Sequence, residues 1–467
     1  MKKYIYIFVL FYSLLTCQGK QDNYIPIEEI SASEVDLIPD KNTKTVQTIL
    51  TFKKLETIDY LSVKKSGGEL YSVNIKNSEL SSPFTFSYNI KKTDPESFKL
   101  VLQAHYKNGN TSKETYLNID NRWGFFVRKI SRIARVTGTS MAGESIPNPN
   151  NTTVNWNVGG TDLGIIWEIQ PGKYGIFFGD TFGSDFKPNP VNSGGNGSNW
   201  RSNVLAYSED LNLDDGLTFS KMATDSRGDA REIIYSAKDV SGNGDWTSIP
   251  TGAIRANNTD YVHYFNIKNW FGWTTNYSGL YKSLDNGENW EKCNNILFAS
   301  NSYFGMCGYF KKDGYVYMIG TPAGRSGYPR LARFAESDIE NRNNYEYWSG
   351  HSRGWMKGNE TEAVILINHK AGELSFIYNE TLKKWIIAYI NEDYNRKDIN
   401  NIVIRYADEI TGPWSEPFIY KEYELSYGSF FHPLSISGEN LYFLMSIWYP
   451  YNVFLMKVEI GDMGEFE

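Results

Sequence analysis

Apolar and polar residues alternate in short runs along most of the chain, and amphipathic helical periodicity is weak. Turn signals such as Ser66-Gly67-Gly68 separate the early runs, which are Thr45–Phe52, Phe84–Tyr88 and Phe98–Leu102. Several short strands spaced in this way over about 95 residues are typical of an immunoglobulin-like β-sandwich. The pattern therefore predicts such a sandwich over residues 27–122.

From about residue 130 the pattern becomes a repeat, in which an aromatic-rich strand is followed by a second strand with polar or basic residues. The aromatic strands are Tyr174–Phe182, Tyr261–Phe265, Tyr315–Ile319, Trp385–Ile390 and Leu441–Trp448. Their partners are Asn203–Ser208, Ser278–Leu284, Pro329–Phe334, Ile402–Ala407 and Asn452–Val458. The aromatic strands begin 54 to 87 residues apart, which suits one blade of a β-propeller per repeat. The chain is thus predicted to be all-β, with a five-bladed β-propeller over residues 130–462.

One predicted hairpin carries a local motif, Ser283-Leu284-Asp285-Asn286-Gly287-Glu288-Asn289-Trp290. It resembles the Asp-box, with Asn289 in the place of the usual Thr. In such a turn the Asp side chain accepts backbone N–H groups, the Gly takes a positive φ and the Trp packs beneath. We interpret this motif as structural and not catalytic.

The composition adds a high aromatic content to this picture, with 13 Trp, 33 Tyr and 26 Phe in 467 residues. Flat rings suit carbohydrate, because sugar C–H faces stack on them, but aromatic residues also simply favour strands. The formal charge of −7 is dispersed along the chain. It argues against nucleic acid as the main partner, since phosphate binding needs a basic face.

The N-terminus reads as a targeting segment. Two lysines precede the apolar run Tyr4–Leu15, which is too short to span a bilayer and typical of a signal-peptide core. Cys17, directly after this core, resembles the lipidated residue of a bacterial lipobox. We predict a signal peptide at residues 1–16, a lipid-anchored tether at residues 17–26, and an exported protein anchored to the bacterial outer membrane. An ordinary secretory signal with a chance cysteine is the alternative.

Only two other cysteines occur, Cys293 and Cys307, and either a disulfide or two free thiols would suit an exported protein. No CxxC spacing suggests zinc, and no acidic loop has EF-hand spacing. We therefore predict no metal ligands and no required cofactor, although a structural calcium ion in the centre of the propeller stays open.

Two aspartates lie near the same end of one predicted hairpin. Asp162 precedes the strand Ile165–Ile169, and Asp180 ends the returning strand after a turn at Pro171-Gly172. Pairing about that turn sets Asp162 opposite roughly residue 181, so the two Cα atoms should lie within about 5–8 Å. Close carboxylates repel, one pKa rises, and such a pair can work as acid and base in glycosidic cleavage. Local turn hydrogen bonding is the alternative role for both.

A series of short motifs follows in order along residues 130–460. The motifs are Gly160-Thr161-Asp162-Leu163-Gly164, Phe178-Gly179-Asp180-Thr181-Phe182, Trp200-Arg201-Ser202-Asn203, Ile249-Pro250-Thr251-Gly252, Ser283–Gly287, Gly320–Arg325, Tyr345–Trp348, Gly372–Ser375, Gly412-Pro413-Trp414 and Tyr427–Pro433. This series resembles the family named domain of unknown function 4185 and, within it, glycoside hydrolase family 183. The resemblance implies a five-bladed propeller. It also implies an endo-acting D-arabinanase that cleaves α-1,5-linked D-arabinofuranosyl chains of arabinogalactan and lipoarabinomannan.

Carried over by motif, Asp162 and Asp180 are the expected catalytic pair, and Glu373 is a third candidate, as acid or as modulator of a pKa. The candidates for substrate binding are Arg201, Asn203, Trp273, Arg325, Tyr427, His432 and Trp448. Structural roles remain open for each of these: Arg often pairs with Asp, most rings in so aromatic a chain are core, and His432 could be a buried histidine bonded to a backbone group.

The sequence leaves three functions open. The first is an endo-D-arabinanase on a polysaccharide, held at a membrane by the N-terminal lipid. The second is a furanosidase acting on another glycan, such as L-arabinan. The third is a non-catalytic glycan-binding surface lipoprotein.

Overall fold

The computed structural model describes residues 30–32, 36–40, 43–66, 71–90, 94, 97–120, 126–191, 194–391, 401–420 and 425–461. The chain forms two compact units, one of residues 1–124 with 463–467 and one of residues 125–462. The predicted signal peptide, the tether and Cys17 lie outside the described residues. Nearly all regular structure is β-strand, which confirms the all-β class. None of the helices among the described residues is long and apolar enough to cross a bilayer.

The N-terminal unit contains two four-stranded antiparallel sheets that share one hydrophobic core. In the first sheet β3 pairs with β1, β2 and β6, and the order of the second is β5-β4-β7-β8. Alternation places Leu50 and Phe52 inside and Ile49 outside, so the apolar face of β3 covers the core. The immunoglobulin-like type stays a prediction. The strands are β1 (Ile30–Ala32), β2 (Asp36–Asp40), β3 (Thr43–Phe52), β4 (Ile58–Ser66), β5 (Ser72–Lys76), β6 (Phe84–Ile90), β7 (Ser97–Tyr106) and β8 (Thr115–Asp120).

The second unit begins with β9 (Phe126–Arg135) and a five-residue helix, α1 (Thr152–Trp156), and then forms five antiparallel sheets. Sheet I contains β10 (Leu163–Gln170), β11 (Lys173–Phe178), β12 (Val204–Ser208) and β13 (Lys221–Met222). Sheet II contains β14 (Thr247–Ala256), β15 (Thr259–Asn269), β16 (Thr274–Ser283) and β17 (Glu291–Ala299). Sheet III contains β18 (Met306–Lys312), β19 (Tyr315–Thr321), β20 (Arg330–Ala335), β21 (Glu346–Trp348) and β22 (Trp355–Lys357). Sheet IV contains β23 (Ala371–Asn379), β24 (Lys384–Asn391), β25 (Asn401–Ala407) and β26 (Phe418–Tyr420). Sheet V contains β27 (Ser426–Phe431), β28 (Asn440–Ile447) and β29 (Asn452–Gly461), with β9 as its outer strand.

The five sheets are arranged in a closed ring. The first strand of each sheet packs against the first strand of the next, and β27 of sheet V packs back against β10 of sheet I. These five strands line a central cavity of about 490 Å³. Because β9 comes from the start of the unit, its pairing with β29 joins the two ends of this unit within sheet V. The buried Arg135 supports this closure by donating to Glu144 and to Asn452.

The predicted repeat corresponds to the second and third strands of the sheets. The aromatic segments coincide with β11, β15, β19, β24 and β28, and their partners with β12, β16, β20, β25 and β29. The Asp-box prediction is confirmed: Asp285 accepts the backbone N–H of Asn289, Gly287 has φ +85°, and Trp290 packs on Trp167 of sheet I. Of the two states left open for Cys293 and Cys307, the structure shows buried free thiols and not a disulfide.

Candidate active site

Asp162 and Asp180 lie at the same end of the β10–β11 hairpin, but their register differs from the predicted one. The backbone carbonyl of Asp162 accepts a hydrogen bond from Gly179 N at 3.1 Å, so Asp162 faces residue 179 and not 181. Two irregularities in the pairing cause the difference, one between Glu168 and Gln170 and one a bulge at Leu163 and Gly164, which have φ values of +68° and +110°. A bulge re-aims side chains at a strand end. Here it brings the Asp162 carboxyl over the backbone of Gly179.

The Asp162 carboxyl is enclosed by sheet V. The Tyr427 hydroxyl donates to its Oδ2 at 3.0 Å, and Tyr451 forms a second hydrogen bond with the same carboxyl. Its Oδ1 is buried without a partner and lies 2.3 Å from the point where a Cβ on Gly179 would stand. Burial, and then the charge of Asp180, raise the pKa of Asp162 to about 8, although the tyrosine hydrogen bonds act against this rise.

The Asp180 carboxyl has a more polar environment. Trp200 Nε1 and Thr247 Oγ1 both donate to its Oδ1 at 2.7 Å. Burial raises the pKa of Asp180 to about 6, and the two hydrogen bonds with the nearby charge of Lys238 oppose this rise. The Tyr451 hydroxyl lies between the two aspartates, 3.2 Å from the Asp180 carbonyl oxygen and near the Asp162 carboxyl, and its single proton can go to one of them at a time.

Glu373, the third predicted carboxylate, belongs to the same cluster. Arg325 binds it in a fork, with Nε 3.0 Å from Oε2 and a terminal nitrogen 2.8 Å from Oε1. The Arg325 guanidinium carbon also lies 4.9 Å from the ring centres of both Trp273 and Tyr427. Through its negative charge Glu373 adds to the raised pKa of Asp162. The structure therefore brings Arg325, Trp273 and Tyr427 to this site together with the three carboxylates.

Aromatic side chains form the accessible border of the cluster. Trp448, in the turn between β28 and β29, is 42 % exposed and its ring centre lies 6.3 Å from that of Tyr427. Trp273, in the β15–β16 turn, packs edge-on against Trp270, and Phe271 between them is exposed. Such rings can hold apolar sugar faces beside the carboxylates.

Three predicted binding residues are not free to meet a substrate. The buried Arg201 donates to the carbonyl groups of residues 157, 199 and 230. The Asn203 amide donates to two carbonyl groups and its oxygen accepts two backbone N–H groups, so its hydrogen-bonding capacity is filled. His432 follows β27, at the opposite end of that strand from Tyr427 near its start, and its Nδ1 accepts from Leu434 N. Burial lowers the pKa of His432 to about 3.

Sequence reasoning also missed residues that contact the aspartates. Trp200, which donates to Asp180, stands in the Trp-Arg-Ser-Asn motif, but Arg201 and Asn203 of the same motif received the functional assignment. Thr247 and Tyr451 had no motif of their own. A signal existed only for Trp200, whose indole N–H is a donor that needs a partner when buried.

Among the described residues no three His, Cys, Asp or Glu side chains are grouped so that they could hold a metal ion. The cluster of Asp162, Asp180 and Glu373 is instead balanced by hydrogen bonds and by the cation of Arg325. What this arrangement can do chemically is store a proton on one carboxyl while another carboxyl stays ionised.

The family model described as domain of unknown function (DUF4185) matches residues 147–457, and the chain belongs to that family. This confirms the resemblance read from the motifs. Two curated relatives are Notoamide biosynthesis cluster protein J of Aspergillus sp. (strain MF297-2) and protein J' of Aspergillus versicolor. The first is 29 % identical over 313 residues, covering 63 % of this chain and 80 % of the relative. The second is 27 % identical over 309 residues, covering 63 % and 82 %.

Among solved structures, the chain is similar to a putative hydrolase from Bacteroides ovatus ATCC 8483, with 14 % identity, a TM-score of 0.47, and coverage of 66 % of this chain and 87 % of that one. It is also similar to the native Bacillus subtilis arabinanase Arb43A, with 12 % identity, a TM-score of 0.36, and coverage of 64 % and 96 %. These scores are too low for functional roles to be transferred by superposition, so the roles proposed below depend on the site itself.

Proposed function

We propose that the protein is an endo-acting glycoside hydrolase that cleaves α-1,5-linked D-arabinofuranosyl chains, and that its ring of five sheets is a five-bladed β-propeller. The observation that carries the hydrolase proposal is the pair of aspartates at one hairpin end with different surroundings. Asp162 is enclosed by apolar groups and tyrosines, whereas Asp180 accepts two strong hydrogen bonds. Glycoside hydrolysis needs one carboxyl that gives a proton and one that takes a proton or attacks.

The different pKa values of the two aspartates support one assignment of the roles. With a pKa of about 8, Asp162 is mostly protonated at neutral pH and acts as the acid that protonates the leaving oxygen. With a pKa of about 6, Asp180 is mostly ionised there and activates water or attacks the anomeric carbon. Glu373, bound to Arg325, adds to burial and to the charge of Asp180 a smaller contribution that raises the Asp162 pKa. Together the carboxylates provide the negative field that stabilises an oxocarbenium-like transition state.

The substrate assignment rests on the family resemblance and on the border of the site. Trp448 and Trp273 offer rings on opposite sides of the Tyr427–Arg325 pair, which suits a polymer that continues past the cleaved bond. An internal cut in such a chain gives oligosaccharides, not single sugars.

The test is incubation of the purified protein with D-arabinan and with L-arabinan, followed by separation of the products. We expect a ladder of oligosaccharides from D-arabinan. The Asp162→Asn and Asp180→Asn variants should give no ladder. The control Asp313→Asn, on an exposed turn, should still give it. If products appear only from L-arabinan, the proposed substrate is wrong and L-arabinan replaces D-arabinan. Intact polymers that still bind would replace the hydrolase proposal with that of a glycan-capturing protein.

We also propose export and lipid anchoring at Cys17. Fractionation of cells that express the full chain and Cys17→Ala tests this. The natural chain should enter the membrane fraction and the variant the soluble exported fraction. Equal distribution of both would contradict anchoring.

A further inference from the structure

A polar network extends from Asp180 into the segment that connects β13 to β14. Lys238 and Glu232 of this segment form an ion pair with Nζ 2.5 Å from Oε2, and their side chains are 24 % and 18 % exposed. The Lys238 ammonium also donates to the hydroxyls of Ser202, at 2.6 Å, and Ser236, at 3.0 Å. All three ammonium protons therefore have acceptors.

This network fixes the direction of a chain of hydroxyl groups. The Ser202 and Thr247 hydroxyl oxygens lie 2.9 Å apart, and Thr247 Oγ1 lies 2.7 Å from Asp180 Oδ1. Each hydroxyl has one proton. The Ser202 hydroxyl also lies 2.7 Å from that of Ser236, and both accept from Lys238. When Ser236 donates to Ser202, the Ser202 proton goes to Thr247, which leaves the Thr247 proton for Asp180. Without the ammonium, Thr247 could turn its proton to Ser202, and Asp180 would lose a donor.

A second route joins the same groups. The Lys238 Nζ lies 5.2 Å from the Trp200 ring centre, a cation–π contact, and the Trp200 indole donates to Asp180 Oδ1. Glu232 positions both Lys238 and Ser202, since the Oε2 that pairs with Lys238 also accepts a hydrogen bond from Ser202 N at 2.7 Å. Both donors to Asp180 Oδ1 are thus supported by one lysine.

We propose that Lys238 is a positioning residue that, through Ser202 and Thr247, holds the Asp180 carboxylate in place as the proton acceptor of the site. The inference rests on the proposed function. The charged groups that act on Asp180 are Lys238, which favours its ionised form, and Glu232, which opposes it. Asp162 is the nearby titratable group, and the charge of Asp180 raises its pKa.

The experiment replaces Lys238 by Met and follows two readouts. One is the midpoint of the Asp180 titration, measured by NMR of protein labelled with ¹³C in its aspartate carboxyls. The other is the acid limb of the kcat/KM profile on D-arabinan. Both should move up by about one pH unit, equal to about a tenfold loss of kcat/KM at pH 5. The matched control is Lys282→Met, because Lys282 also pairs with a glutamate, Glu340, at similar exposure. That variant should shift neither readout.

Two more variants separate this role from general stability. Ser202→Ala should shift both readouts upward, and the double variant with Lys238→Met should shift less than the sum, because both act through one chain. Glu232→Gln should shift the midpoint downward. If the midpoint of the Asp180 titration stays unchanged in Lys238→Met and Ser202→Ala while the protein still hydrolyses D-arabinan, the inference is wrong and the proposed function stands. Shifted midpoints in a protein inactive on every glycan would overturn the proposed function and leave the role of Lys238 standing.

Discussion

Removal of the Tyr427 hydroxyl should move the basic limb of the pH–activity profile upward. This hydroxyl donates to Asp162 Oδ2 at 3.0 Å and stabilises the ionised carboxylate. In Tyr427→Phe the ring, and with it the contact to Arg325 at 4.9 Å, can remain while the donor is lost. The acid should therefore keep its proton to higher pH.

The size of the shift follows from the strength of the bond. A hydrogen bond to a charged group contributes about 1.5–3 kcal/mol, which corresponds to about one to two pKa units. The Tyr451 bond to Asp162 persists, so the lower value is the better expectation. Starting from a pKa of about 8, a one-unit rise increases the protonated fraction of Asp162 at pH 9 by about fivefold. The relative kcat/KM at pH 9 should increase by about the same factor.

The assay is kcat/KM on D-arabinan from pH 4 to pH 10 for the natural protein and the variant. Tyr207→Phe is the control, because it also removes a buried hydroxyl, one bonded to the Gly287 carbonyl group. Glu373→Gln should move the basic limb the other way, since it removes a negative charge that raises the Asp162 pKa. A basic limb that stays in place in Tyr427→Phe, or moves down, would refute Asp162 as the acid.

Four further predictions test other parts of the site. Asp162→Asn should raise the melting temperature, measured by calorimetry, more at pH 9 than at pH 4. The reason is that the raised folded-state pKa of Asp162 makes the natural protein lose stability as pH rises from about 4 to about 8. An equal effect at both pH values would contradict this reasoning. Gly179→Ala should abolish hydrolysis with little change in circular dichroism, since its Cβ would stand 2.3 Å from Asp162 Oδ1; retained activity would show that the carboxyl position is not critical. Asn203→Ala should lower the free energy of unfolding, measured with denaturant, by about 3 kcal/mol or more, because it leaves buried backbone groups without partners. The kcat/KM of the folded protein should stay unchanged. A specific rise in KM would instead support the predicted contact of Asn203 with substrate. Trp448→Ala should raise KM for the polymer about three- to tenfold with kcat nearly constant, and a fall in kcat alone would count against a stacking role.

The strands could be predicted because their signal is local. Each aromatic segment, such as Trp385–Ile390, is a buried second strand whose own residues carry the pattern. The pairing of Asp162 could be predicted only coarsely, because the register depends on a bulge at Gly164 and on a second irregularity between Glu168 and Gln170. The sequence shows a glycine at 164, but not that Leu444 and Val453 of sheet V pack so close that a Cβ there would stand 2.9 Å from Leu444.

The errors at Arg201 and Asn203 have one physical cause. A polar side chain in a recognised motif can point to solvent, where it could bind substrate, or it can form hydrogen bonds that connect distant loops. The motif does not show which of these two roles the side chain has. The partners of Asn203 are backbone groups about 30 and 45 residues away, at Ile234 and Ser248. Trp273 and Arg325 lie beside the carboxylates, and both stand in turns between strands, where side chains escape the packing of the sheets. Their contact with substrate stays a prediction.

The site depends on closure of the ring, and this explains how the protein tolerates an acidic pair that costs stability. Sheet I supplies both aspartates, but the groups that enclose Asp162 come from sheet V, more than 260 residues later in the chain. Ser446 of β28 fixes the seam, since its hydroxyl lies 2.5 Å from Leu163 N and 3.2 Å from Leu163 O. Sheets II, III and IV then add Thr247, Arg325 and Glu373. One hairpin of sheet I keeps Asp162 and Asp180 near each other, but Thr247, Arg325, Glu373 and Tyr427 reach them from the other four sheets, so the surroundings of the proposed acid are complete only when all five sheets are assembled.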